Sequence, residues 1–155
     1  MEEADHGESG EVARLDRAEC LRLLATVPVG RLIFTVNALP VVRPMNFLLD
    51  DEQVVVRTAA GTVAARKAAG SIVAFEADQL DPATASGWSV TVTGPAQLIT
   101  DPAAIIRFSS LPLVPWAPGP RDQFLTISTE LVEGQKVGSA RPSPAKVIRL
   151  RQPLR

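Results

Sequence analysis

The spacing of apolar and polar residues changes several times along the chain, and each change marks an element. Asp16-Arg17-Ala18-Glu19 fits a helix N-terminal box, with Asp16 placed to accept from a free N–H of the first turn and Glu19 to reach back. Leu21, Leu23, Leu24 and Val27 then form an apolar stripe, which predicts a helix over 16–26 bounded by Pro28 and Gly30. From Val29 the period shortens: Leu32, Phe34 and Val36 alternate with Arg31, Ile33 and Thr35, as on a half-buried strand. Asn37-Ala38-Leu39-Pro40 reads as a turn into a second strand, Val41–Leu49, and Asp50-Asp51-Glu52 as a turn into a third, Gln53–Thr58. Ala59-Ala60-Gly61 breaks that strand. Thr62 is placed to cap a short helix over 63–69, closed by Gly70, and Ser71–Ala77 predicts the next strand.

Trp88, Val90 and Val92 alternate with Ser89, Thr91 and Thr93, the clearest strand in the chain. Gly94-Pro95 predicts a bulge or bend, because proline cannot donate to a central ladder, with the strand resuming over Gln97–Thr100. Asp101-Pro102 starts a helix running to about Ser110, with Asp as cap and Pro at the first helical position. Leu111–Pro120 carries four prolines and a glycine and reads as a loop without regular structure. Gln123–Glu133 reads as a last strand. The pattern therefore predicts a mainly β protein of six or seven strands, mostly hairpin-connected, with three short helices. Sheet edges must be closed or covered, and a small closed antiparallel barrel with helices at its rim does this. Residues 1–14 and 138–155 read as polar tails flanking one domain over 15–137.

Composition narrows the chemistry. A length of 155 residues fits one domain, and 46% hydrophobic residues supply a core without disulfides or metal. Sixteen basic against seventeen acidic residues give a net charge of −1, so there is no global basic field for nucleic acid or an anionic membrane, and any anion site must be local. The single cysteine, Cys20, excludes a multi-cysteine metal site, and the single histidine, His6 in the polar tail, argues against a Ser/His/Asp triad. No apolar run reaches the ~18 residues of a membrane span, and MEEADHGESGE lacks the basic and apolar regions of a signal peptide. The expected setting is soluble and cytoplasmic.

Three segments could carry function. Arg57-Thr58-Ala59-Ala60-Gly61-Thr62 lies at a strand end before a helix, where free N–H groups, the hydroxyls of Thr58 and Thr62 and the Arg57 guanidinium suit a phosphate; Gly61 lets a backbone come close. The plainer alternative is a cap, a turn glycine and a solvated strand end. In Arg43-Pro44-Met45-Asn46-Phe47, proline and asparagine interrupt an apolar strand; this stretch can pair with the edge of a planar heterocycle or lie on an edge strand with Asn46 outward. Trp88 is either barrel core or the wall of a ring site, beside Ser89. Trp116, an indole in a proline-rich loop, is suited to covering a ligand or a partner. Glu76 and Asp78 read as the strand leaving the core, with a carboxylate pair as the alternative.

Taken in order, VGRLIFTVNALPVVRPMNF, VVVRTAAGTVAARKA and VAFEADQLDPATASGWSVTVTGPA resemble the flavin-binding split-barrel proteins of the pyridoxamine 5′-phosphate oxidase superfamily, in particular its small actinobacterial-type members. The resemblance spans about residues 15–137 and rests on the order and spacing of the motifs. It implies a six-stranded antiparallel split β-barrel, a homodimer, and FMN at the dimer interface. It further implies that the strand holding Pro44, Met45 and Asn46 lies along the isoalloxazine, and that Arg57, Thr58, Gly61, Thr62 and Val63 hold the phosphate. Trp88 and Ser89 would border the flavin, and a late loop like that of Trp116 would come from the partner subunit.

The chain departs from the pattern in three ways. Val63 stands where relatives often have lysine after the GT pair, leaving open whether Arg66 or Lys67 substitutes. Arg141, Arg149 and Arg151 do not reproduce the arginine-rich substrate segment of true pyridoxamine phosphate oxidases. The barrel lacks the histidine that nitroimidazole-reductase-like relatives use. The resulting expectation is a flavin-dependent oxidoreductase acting on a small-molecule redox substrate, with no nucleic-acid or membrane partner and no protein acid or base assigned. Its rivals are a reductase using the deazaflavin coenzyme F420 and a non-catalytic flavin-binding or sensing module.

Overall fold

The computed structural model describes residues 11–138. Eight strands and three helices follow in chain order. They are β1 (Glu11–Leu15), α1 (Arg17–Leu24), β2 (Val29–Val36), β3 (Leu39–Asp50), β4 (Gln53–Thr58), α2 (Val63–Lys67), β5 (Ile72–Asp81), β6 (Ser86–Leu98), α3 (Pro102–Ser109), β7 (Gln123–Ser128) and β8 (Leu131–Gly138). All pairings are antiparallel. Strands β2, β3, β4, β7, β6 and β5 close into a ring, because β6 pairs with both β5 and β7. The protein is thus a closed six-stranded antiparallel barrel with few short helices.

The barrel is split at β6. Residues 86–95 of β6 pair with β5, and 96–98 pair with β7. The handover falls just after Gly94-Pro95, where a bulge or bend was expected; the strand runs through the pair unbroken and changes partner there. Over 87–93 the other edge of β6 carries β8, and β8 carries β1.

Burial follows the alternation on β2, β5 and β6: Leu32 and Phe34, Val73, Phe75 and Ala77, and Trp88, Val90 and Val92 fill one core. On β4 and β7 the alternation disappears, since Val54, Val55 and Val56 and Phe124–Ile127 are all buried. A second cluster accounts for this: Phe108 of α3 and Leu113 of the following loop pack with Val55 and Phe124 on the outer face of those strands. Covering both faces of a strand allows a continuous apolar run.

Several boundaries differ from the sequence expectation. Residues 11–14, read as tail, form most of β1, held by β8. The expected strand Gln123–Glu133 is two strands, since the chain turns between Ser128 and Leu131. Helix α2 ends at Lys67 instead of residue 69. Strand β5 continues to Asp81, but its last buried residue is Ala77 and Gln79–Asp81 are exposed, so Glu76 and Asp78 stand where the strand leaves the core, as expected. They face Arg31 across β2–β5, with its Nη1 2.8 Å from Glu76 and 3.3 Å from Asp78. Burial pushes the Glu76 carboxyl up, against the pull of Arg31. Arg31 is thus the centre of an ion cluster. Residues 1–10 and 139–155, with His6, Arg141, Arg149 and Arg151, lie outside the described residues.

Candidate functional site

One cleft of about 400 Å³ opens where β3, the end of β4, the start of α2 and the loop before β7 meet. Pro44, Met45, Asn46, Arg57, Thr58, Thr62, Val63 and Trp116 all line it, together with Val29, Arg43, Ala64, Pro115, Ala117 and Arg121. Residues up to 92 positions apart in sequence, Val29 and Arg121, therefore form one wall system, because β3 pairs with both β2 and β4 and β7 returns along β4.

Each wall has a local cause. Thr62 caps α2, its Oγ1 accepting from Ala65 N at 3.2 Å, and Thr58 Oγ1 lies 2.8 Å from the same hydroxyl. Thr58 is buried at the end of β4. Gly61, with φ of +77°, makes the left-handed step between strand and helix and does not itself line the cleft. Helix α2 has only five residues, so its dipole is small and one of its first N–H groups is already taken by the cap. Arg66 and Lys67 lie outside the lining.

The loop over 111–122 is held down by side chains. Arg57 Nε donates to Arg121 O at 2.9 Å and its Nη1 to Leu113 O at 3.2 Å, fixing both ends of the loop. The same guanidinium lies 5.2 Å from the Phe124 ring centroid. Asn46 fixes the middle: its Oδ1 accepts from Trp116 N at 2.8 Å, while its Nδ2 donates to Pro28 O at 3.3 Å. The inserted asparagine of β3 is thus satisfied by a loop 70 residues away. The Trp116 side chain is 73% exposed at the cleft rim.

Three arginines, Arg43, Arg57 and Arg121, line the cleft, and among the described residues no Asp or Glu does. Between them lie the apolar surfaces of Val29, Pro44, Met45, Val63 and Trp116. Arg121 Nε is buried without a hydrogen-bond partner. A positive, partly apolar recess with an unsatisfied donor suits a ligand that joins a flat ring to a phosphate.

Trp88 and Ser89 stand elsewhere. Trp88 is buried in the main core, and Ser89, on the opposite face of β6, lines a polar trough with Arg14, Thr91, Glu133 and Gln135. Sequence reasoning did not single out Arg121. The available sign was its position, a basic residue closing the proline-rich loop before β7, but the fold-back that aims it at the cleft is not a local property.

Comparison with known proteins agrees with this architecture. The pattern of the family described as pyridoxamine 5′-phosphate oxidase matches residues 16–147. Rv0080, an uncharacterized protein of Mycobacterium tuberculosis, is 46% identical over 132 residues, covering 82% of this chain and 86% of the relative. A solved FAD-binding protein of Mycobacterium smegmatis is 29% identical with a TM-score of 0.64, over 81% of this chain and 98% of that one. A conserved protein of unknown function from Corynebacterium diphtheriae, DIP1874, is 30% identical with a TM-score of 0.69, over 81% and 98%. With the matched segment running from α1 through the barrel and past β8, this chain belongs to the pyridoxamine 5′-phosphate oxidase family.

Proposed function

We propose that the protein binds a flavin nucleotide, FMN, in the cleft between β3 and the 111–122 loop, and works with it as a cytoplasmic oxidoreductase on a small molecule. The observation that carries the reading is the lining itself: three arginines and, among the described residues, no carboxylate, beside an apolar wall. The solved relative from Mycobacterium smegmatis is an FAD-binding protein, and FAD contains the whole of FMN. Bound flavin would supply the electron transfer. The chain's own residues would bind and orient it, with Pro44–Asn46 and Trp116 against the ring and the arginines at the phosphate. An exposed indole and an exposed Val114 beside the cleft support a homodimer in which a second copy covers this rim. The Trp116 side chain lies at the rim and the cleft is open, which supports a site that also admits a substrate over a closed storage module.

Purified protein tests this directly. The expected result is a yellow protein of twice the chain mass by light scattering, with absorption bands near those of oxidised flavin and FMN as the ligand released on denaturation. A colourless protein that takes up no flavin overturns the reading. Uptake of the deazaflavin coenzyme F420 in place of FMN replaces it with the deazaflavin reductase.

A further inference from the structure

The two cleft arginines nearest the loop ends are in different states. Arg57 is engaged: it donates to two loop carbonyls and rests over Phe124. Arg121 is not, since its Nε is shut away from solvent with no acceptor, the single buried side-chain donor left so among the described residues. A buried donor without a partner is unfavourable, more so on a charged group. Among the described residues, no Asp or Glu lines the cleft to relieve it. The hydrogen bond from Arg57 to the Arg121 carbonyl sets the two residues side by side, so two positive side chains share one recess with no carboxylate among the described residues of its lining.

We infer that Arg121 is the principal charge partner of a phosphate group bound in this cleft, with Arg57 as the positioning residue that holds its backbone. The identity of the ligand rests on the flavin-nucleotide reading; the choice of residue rests on the buried Arg121 Nε that has no acceptor. A phosphate oxygen offers that guanidinium the acceptor it lacks. Its planar fork matches two phosphate oxygens once the side chain turns about its terminal torsions. The role would otherwise fall to α2, but that helix has a single turn, its cap occupies Ala65 N, and its basic residues lie outside the lining.

The test is a paired titration of ligand-free protein with FMN and with riboflavin, which lacks the phosphate. Arg121→Gln is expected to lose about ten- to a hundredfold in FMN affinity with riboflavin affinity unchanged. Arg121→Lys, which keeps the charge and loses the fork, should fall between. The melting temperature of ligand-free Arg121→Gln should equal or exceed that of the wild type, since an unsatisfied donor has been removed. A wild-type FMN-to-riboflavin ratio in both variants overturns the inference, as does a loss confined to stability. Should the wild type bind neither flavin, the flavin reading falls, and a thermal shift with inorganic phosphate decides on Arg121. Stabilisation of the wild type that Arg121→Gln loses supports the site; equal stabilisation, or none, overturns it.

Discussion

Arg57 shows how one side chain serves fold and site together. Its Nε and Nη1 donate to Arg121 O and Leu113 O, so it closes the 111–122 loop. Arg57→Ala is therefore expected to destabilise the ligand-free protein by about 1.5–3 kcal/mol, the usual worth of hydrogen bonds from a charged group. Urea denaturation of ligand-free wild type and variant measures this; equal midpoints would mean that the loop is held by Asn46 alone. The same residue scale shows what a sequence can disclose. Asp16, Thr62 and Asp101 are all helix caps in the structure, each accepting from the N–H three residues on. Those motifs are local and so were legible. Half of the Asp16 box is different: Glu19 turns to Arg22, with 2.7 Å between Oε1 and Nη2. Arg121 was illegible because its meaning depends on a fold-back that brings it against Arg57.

At the scale of elements, strands with one covered face were readable and those covered on both faces were less so. Leu32-Phe34 and Trp88-Val90-Val92 point inward as their alternation predicts, which also explains why Trp88 belongs to the core and Ser89 to the other face. Strand β1 is not legible locally because its ladder partner is β8, far along the chain: Val12 pairs with Val137 and Leu15 with Gly134. Gly134 is the tight point of that layer. A Cβ there would lie 2.5 Å from Cys20 Sγ of α1 and 3.2 Å from Leu15 Cδ1 and Val90 Cγ2. Gly134→Ala should therefore lift α1 from β8 and lower stability by about 1–3 kcal/mol, as overpacking does. Thermal or denaturant unfolding checks it, and an unchanged midpoint would show that α1 yields without cost.

For the whole molecule, barrel closure and cleft formation have one cause. Passing β6 from β5 to β7 closes the ring, and closing the ring brings β7, with the proline-rich loop before it, beside β4. The loop then meets β3 through Asn46 and β4 through Arg57, and the recess beneath it gathers three arginines in a protein whose net charge is −1. With so little net charge any anion site must be local, and this recess is where we place it. A crystal structure of the protein grown with FMN tests this placement most directly. One flavin per chain is expected, its ring against Pro44–Asn46 and its phosphate on Arg121 beside Arg57. Flavin bound only at another place, such as the polar trough of Ser89, or with its phosphate in solvent away from both arginines, would contradict it.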